Sequence, residues 1–280
     1  MDPRPVRTLS ICTGIGGLDL GTDLALGGRC LPVALVEREA FAAAHLASAM
    51  EAGIMAPAPI HADLATFPAQ SLAGSIDLIL GGYPCQPFSQ IGFRHGTHDP
   101  RHLWPHILRI LRTTNAPLAF FENVRGHLTL GFDQVLADLA DLGFDAEWTV
   151  LPASRVGATH RRDRLFILAY RPSQLTTLGD TLLPRLEGLT RHGDHPPFGQ
   201  EPSGPPAPPS LPLFPPAPLN HDGWDRWLRL HPDTQPSIRR GPYGIPDRVD
   251  RLRALGNAVV PLQAAVAFRT LTTRALGATP

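Results

Sequence analysis

Along the first 170 residues, short apolar runs alternate with segments of helical length or spacing. Runs at residues 6–12, 31–36, 60–63, 76–80, 118–121, 148–151 and 164–169 suit strands, while 18–26, 39–52, 103–111 and 132–142 suit helices. This alternation confines the chain to the α/β class, because parallel strands need helical crossovers, which cover the faces of the sheet. Ligands of open α/β sheets bind outside the carboxyl ends of the strands, so the residues that follow each run hold the functional information.

The first run is followed by Thr13-Gly14-Ile15-Gly16-Gly17, a glycine turn leading into a helix. Backbone can approach a nucleotide-like ligand closely at such a turn, although Asp19 occupies the place of the third glycine of a G-x-G-x-x-G pattern, and a tight structural turn explains the same residues. The second run ends at Glu37, 20 residues past Gly17. Dinucleotide-binding folds place there an acid that holds the ribose hydroxyls. Asp63 ends the third run and suits either a ligand contact or a helix N-cap.

The fourth run, interrupted only by Asp77, leads directly into Gly81-Gly82-Tyr83-Pro84-Cys85-Gln86-Pro87-Phe88-Ser89. A thiol at a strand end is offered to a cleft, whereas a buried structural cysteine is the plain alternative. Residues 86–102 lack helical or strand periodicity, as a functional lid would. Glu122-Asn123-Val124 closes the fifth run, and His160-Arg161-Arg162-Asp163-Arg164 directly precedes the last one. A solvated turn would explain the arginines, but the apolar run that starts at Leu165 predicts that Arg164 is held by the sheet.

Composition narrows the classes further. Three cysteines without metal-type spacing argue against a disulfide framework or a zinc site, and no metal is expected. No apolar run approaches the roughly 20 residues of a membrane span, and residues 1–7 lack an apolar signal core, so a cytoplasmic protein with no membrane partner is expected. The formal net charge is zero, and every cationic residue is arginine, with no lysine in the chain. Arginine suits bidentate contacts with phosphate and base edges, while codon bias in a GC-rich genome explains the same fact. Between Pro196 and Pro218, 11 of 23 residues are proline, which suits a polyproline or disordered connector. Trp224, Trp227 and Leu228 suggest an apolar knot beyond it. Order returns near Val249, followed by Gly256-Asn257-Ala258-Val259-Val260-Pro261 and a last amphipathic helix over 262–276.

Taken together, the glycine turn, Pro84-Cys85-Gln86, Glu122-Asn123-Val124, Arg162-Asp163-Arg164 and Gly256-Asn257-Ala258-Val259-Val260-Pro261 resemble, in order, five motifs of the bacterial and phage DNA cytosine-5 methyltransferases. The resemblance implies a Rossmann-like S-adenosylmethionine-dependent methyltransferase fold, with a mixed, mostly parallel seven-stranded sheet and a small Pro-rich recognition region. It implies a catalytic and cofactor-binding domain over 1–171, a reduced target-recognition region over 172–246, and a segment over 247–280 that returns to the catalytic domain.

The activity it implies is methyl transfer to carbon 5 of cytosine in double-stranded DNA through a covalent adduct. Cys85 would be the nucleophile, Glu122 the acid, and Arg164 the holder of the base's carbonyl oxygen, with Arg162 supporting the loop or contacting the base too. The cofactor would meet Cys12, Gly14, Ile15, Gly17, Glu37, Arg38, Asp63, Leu64, Pro84, Leu103, Asn257 and Val259. Cys12 stands where the family usually has phenylalanine, and Arg38 where an aromatic often follows the acid. In the lid, Ser89 and Arg94 are candidate phosphate contacts. A monomer is expected, working in a restriction-modification system with a companion endonuclease or as a solitary phage methylase. Two rival readings are a nicotinamide-dependent oxidoreductase, which leaves the Cys85, Glu122 and arginine motifs unexplained, and a catalytically weak DNA-binding or regulatory relative of the same family.

Overall fold

The computed structural model describes residues 4–84, 103–175, 221–230 and 248–277. Within them, β1 (Val6–Ile11), β2 (Cys30–Val36), β3 (Ile60–His61), β4 (Leu78–Gly82), β5 (Leu118–Val124), β6 (Asp145–Pro152) and β7 (Asp163–Tyr170) form one sheet. The strand order is β3-β2-β1-β4-β5-β7-β6. The first five strands in this order run parallel, whereas β7 is antiparallel to both β5 and β6. The mixed, mostly parallel sheet is therefore the one read from the sequence.

The described α-helices are α1 (Gly17–Ala25), α2 (Ala40–Glu51), α3 (Trp104–Thr114), α4 (Phe132–Asp141), α5 (His221–Leu230), α6 (Arg248–Asn257) and α7 (Pro261–Ala275), with short 3-10 turns at Ala69–Leu72, Arg125–Thr129 and Ala153–Val156. On one face of the sheet, Trp104, Ile107 and Leu111 of α3 and Val135 and Leu139 of α4 pack on Leu9, Ile79, Phe121 and Ile167. On the other, Leu18 of α1 and Ala264, Phe268 and Leu271 of α7 pack on Leu78, Leu80, Phe120 and Phe166. Coverage on both faces explains why the central strands read as unbroken apolar runs. Phe120 stacks on Phe166 with centroids 5.7 Å apart, and Phe268 meets Phe120 edge-on at 5.1 Å. Each buried ring of this kind stabilises the core by roughly 1.5–3 kcal/mol.

Departures from the sequence reading have local causes. Strand β4 starts at Leu78 because Asp77 accepts hydrogen bonds from Arg4 Nη1 at 2.7 Å, Arg4 Nη2 at 2.9 Å and the Arg7 amide at 2.9 Å. Strand β5 runs on through Glu122-Asn123-Val124, since β7 pairs with it as far as Val124 and Arg164. The edge strand β6 begins three residues before the apolar run, because its outer residues are polar. The arginine cluster is not a free turn, for Asp163 and Arg164 already belong to β7. Beyond the proline-rich segment, the expected knot is the helix α5, in which Trp227 is buried.

Residues Arg253–Ala275 together have the length and mean hydropathy, 1.2, of a membrane span, which the search for apolar runs did not anticipate. They form two helices, however, interrupted at residues 258–260, and the second buries Ala264, Ala265, Phe268 and Leu271 against α1 and the sheet. The apolar face of the second is thus part of the core, whereas Leu255 of the first is exposed.

Candidate active site

From β1 the chain crosses to β2 and β3 on one side, then returns to β4 on the other. This reversal leaves the carboxyl ends of β1 and β4 without a connection closing over them, which is where open α/β sheets form ligand sites. A cleft of about 1250 Å³ opens there. All twelve residues nominated for the cofactor line it, together with Glu122 and Arg164.

Backbone builds the side nearest β1 and β2. Leaving β1, the chain passes through left-handed conformations at Cys12 (φ 51°), Gly14 (φ 58°) and Gly16 (φ 81°). Glycine meets this requirement without strain, whereas Cys12 is an L-residue held there by its surroundings. The Gly14 amide donates to Glu37 Oε2 at 2.6 Å, and the Glu39 amide donates to Glu37 Oε1 at 2.7 Å. Glu37 therefore ties the glycine turn to the end of β2, and its remaining lone pairs can serve a ligand in the cleft.

A side chain is excluded at Gly17, because a Cβ there would lie 2.2 Å from the Val259 carbonyl oxygen. This close approach brings the C-terminal motif beside the N-terminal one. Asp63 caps a turn rather than a helix, accepting the Ala65 amide at 3.0 Å, while Arg109 donates to the Leu64 and Phe67 carbonyls and anchors the same loop.

Charged side chains build the other side. Because β7 is antiparallel to β5, residues at the start of β7 meet residues at the end of β5, so a motif that precedes one strand faces a motif that ends another. Arg164 Nε lies 2.7 Å from Glu122 Oε1, with the two side chains only 14% and 9% exposed. Burial pushes the Glu122 carboxyl up to about 7, against the opposing pull of Arg164 and Arg162. An acid poised near neutrality can hold or release a proton at the working pH. Next to it, Asn123 Nδ2 donates to the Tyr83 carbonyl at 3.1 Å and fixes the exit from β4.

Arg162, expected either to support the loop or to contact the base, is turned toward the C-terminal motif. Its backbone is left-handed (φ 39°), and Nη2 donates to the Gly256 carbonyl at 2.7 Å and to the Ala258 carbonyl. Gln263 of α7 donates to the Leu151 carbonyl at 2.6 Å and to the Arg162 carbonyl at 3.0 Å. Arg162 thus holds the C-terminal motif against the site and does not line the cleft. Cys85, Ser89 and Arg94 lie outside the described residues, and Pro84, which lines the cleft, is the last described residue before them.

Two buried polar groups escaped the sequence reading. Asp19 accepts a hydrogen bond from Ser10 Oγ at 3.0 Å, and burial pushes its carboxyl up to about 7. The second is His127, just past β5, whose ring nitrogens meet Tyr83 Oη and the Leu130 carbonyl, each at 2.9 Å. An acid or histidine inside an otherwise apolar pattern was the available signal for both, but Tyr83, one partner of His127, is 44 residues away.

The C-5 cytosine-specific DNA methylase family model matches residues 6–192. The chain belongs to this family. Type II methyltransferase M.NgoMIV of Neisseria gonorrhoeae is 33% identical over 168 residues, which are 59% of this chain and 51% of that protein. Type II methyltransferase M.CviJI of Paramecium bursaria Chlorella virus IL3A is 32% identical over 169 residues, covering 59% of this chain and 43% of that protein. The chain thus spans about half the length of the curated relatives that it matches. Among solved structures, the S. pombe Dnmt2 methyltransferase shares the fold with a TM-score of 0.51 and 21% identity, covering 66% of this chain and 58% of that one. The family match covers the glycine turn, Pro84-Cys85-Gln86, Glu122 and Arg164, which belong to four of the five motifs.

Proposed function

We propose that the chain transfers a methyl group from S-adenosylmethionine to carbon 5 of cytosine in double-stranded DNA, with Cys85 as the nucleophile. The observation that carries this reading is the buried Glu122–Arg164 pair, at the strand end beside the one that leads to Cys85 and within the same cleft as the glycine turn.

The cleft suits the cofactor by its own geometry. A Cβ at Gly14 would meet open space, so the turn leaves room for a ligand, and Glu37 keeps acceptor capacity for ribose hydroxyls. Asp63 would receive the adenine amino group, while Leu103, Pro84, Asn257 and Val259 line the remainder. When bound, S-adenosylmethionine supplies an electrophilic methyl group.

Carbon 5 of cytosine is a weak nucleophile until sulfur adds to carbon 6. The Cys85 thiolate forms the S–C6 bond, and Glu122, sharing a proton with ring nitrogen 3, receives the charge that moves into the ring. Arg164 holds Glu122 and can reach the base carbonyl oxygen, so its charge serves both groups. Carbon 5 would then take the methyl, with S-adenosylhomocysteine as the leaving group, a base would remove the carbon 5 proton, and the S–C6 bond would break to restore the thiolate. A paired base hides these atoms, so the target nucleotide must leave the stack. Target recognition falls to residues 172–246, with a companion endonuclease as the corresponding partner in a restriction-modification system.

The test is incubation of the purified protein with DNA and methyl-labelled cofactor, followed by bisulfite sequencing. Label at cytosine that is abolished by Cys85→Ser supports the reading. No label in DNA, or label that survives the substitution, sinks it.

A further inference from the structure

Tyr83 is the residue through which β4 hands over to the loop bearing Cys85, and three independent contacts hold it. Its carbonyl accepts Asn123 Nδ2 at 3.1 Å. Its ring packs against Trp104, Phe121 and His127 at centroid distances of 5.2, 5.8 and 5.6 Å. Its hydroxyl lies 2.9 Å from Nε2 of His127, a fully buried side chain in the turn Arg125–Thr129 that follows Glu122 and β5.

Chemistry fixes the direction of this relay. The Leu130 carbonyl can only accept, so Nδ1 of His127, 2.9 Å away, carries a proton. Burial lowers the His127 pKa and favours the neutral ring, which leaves Nε2 as an acceptor for the Tyr83 hydroxyl. Both groups are buried, and removing either takes this bond from its partner. Two residues span at most about 7 Å, so the position of Tyr83 bounds where Cys85 can stand.

We propose that His127 is a positioning residue for the nucleophile: through Tyr83 it fixes the start of the Cys85 loop relative to Glu122. The proposal rests on the assignment of Cys85 as the nucleophile. It explains why a histidine is enclosed among Tyr83 and Phe132, where a hydrocarbon side chain would fill the space without needing two hydrogen-bond partners.

The experiment compares the wild type with Tyr83→Phe, His127→Leu and the double variant by two readouts. The first is the alkylation rate of Cys85 by iodoacetamide at neutral pH, located by peptide mapping, which needs neither DNA nor cofactor. The second is single-turnover methyl transfer at saturating cofactor. Each single variant is expected to slow both about tenfold, within the range for a misplaced reacting group, while cofactor affinity is unchanged. The double variant is expected to be no slower than the slower single one, because both changes remove the same link.

Unchanged or faster alkylation in the single variants, or a His127→Leu effect that persists in full in the Tyr83→Phe background, would overturn the proposal even if thermal stability falls. A wild type that places no methyl in DNA would instead sink the functional reading, and the alkylation cycle would still decide the relay.

Discussion

At the ends of β1 and β2 the cleft is lined by backbone and glycine, whereas at the ends of β5 and β7 it is lined by a buried charge pair. On the first side, Gly14 and Gly17 let main chain approach main chain, and one carboxylate, Glu37, straps the turn. On the second, the proposed chemistry depends on Glu122 and Arg164, drawn together from positions 42 residues apart by antiparallel pairing. Backbone gives shape with little dependence on pH. A buried acid and its arginine give a charge that responds to the substrate, at the cost of desolvation. The two sides are therefore expected to fail separately, with binding lost from the first and rate from the second.

The largest effect is expected from Arg164→Met. It leaves the Glu122 carboxyl buried with its nearest cation gone and removes the donor for the base carbonyl, so single-turnover methyl transfer falls by about a thousandfold. Calorimetric cofactor affinity is expected to stay within about threefold. A comparable loss of affinity would join the two sides into one.

Gly17→Ala attacks the other side. Its Cβ meets the Val259 carbonyl, and neither backbone can swing aside, so urea unfolding is expected to show roughly 1–3 kcal/mol of lost stability together with weaker cofactor binding. Arg162→Met sharpens the boundary. The side chain is adjacent in sequence to the base-holding motif but clamps the Gly256 and Ala258 carbonyls, so cofactor affinity is expected to fall about tenfold, equivalent to about 1.4 kcal/mol. Its rate at saturating cofactor should stay near wild type. A rate loss like that of Arg164→Met would move Arg162 to the base side.

The smallest effect concerns Asp19, beneath the glycine turn. Burial raises its folded pKa from the ordinary 3.8 to about 7, so the stability it contributes is complete below about 4 and is lost as pH rises through 7. Asp19→Asn keeps an acceptor for Ser10 and cannot ionise. Its stability relative to wild type, from urea unfolding, is expected to increase between pH 5 and pH 8. A gap independent of pH would show that Asp19 is already ionised in the folded protein.

The difference between the two sides also explains what could be read from the sequence. The glycine turn, Glu37 and the strand runs are local patterns, and the sheet has the strands that those runs predict, with ends displaced by a few residues. Glu122 and Arg164 could be nominated through the family's motifs, but their facing each other follows from the antiparallel β7, which no local pattern encodes. His127, Asn123 and Gln263 are set by partners that are 40 or more residues away, so their spacing gave no signal. Arg162 shows the converse, since its place in the motif left open a supporting role or one shared with Arg164, and a left-handed backbone turns it toward the C-terminal segment.

The central claim, that this cleft directs a cysteine to carbon 6 of a cytosine while a methyl reaches carbon 5, is tested most directly by trapping. DNA in which 5-fluorocytosine replaces cytosine cannot lose a proton from carbon 5, so the S–C6 bond persists after methylation. With S-adenosylmethionine present, the account predicts a denaturant-resistant complex with the summed mass of protein, DNA and one methyl group, absent in Cys85→Ser. A wild-type protein that methylates ordinary DNA without forming this complex, or a complex that forms in Cys85→Ser, would contradict it.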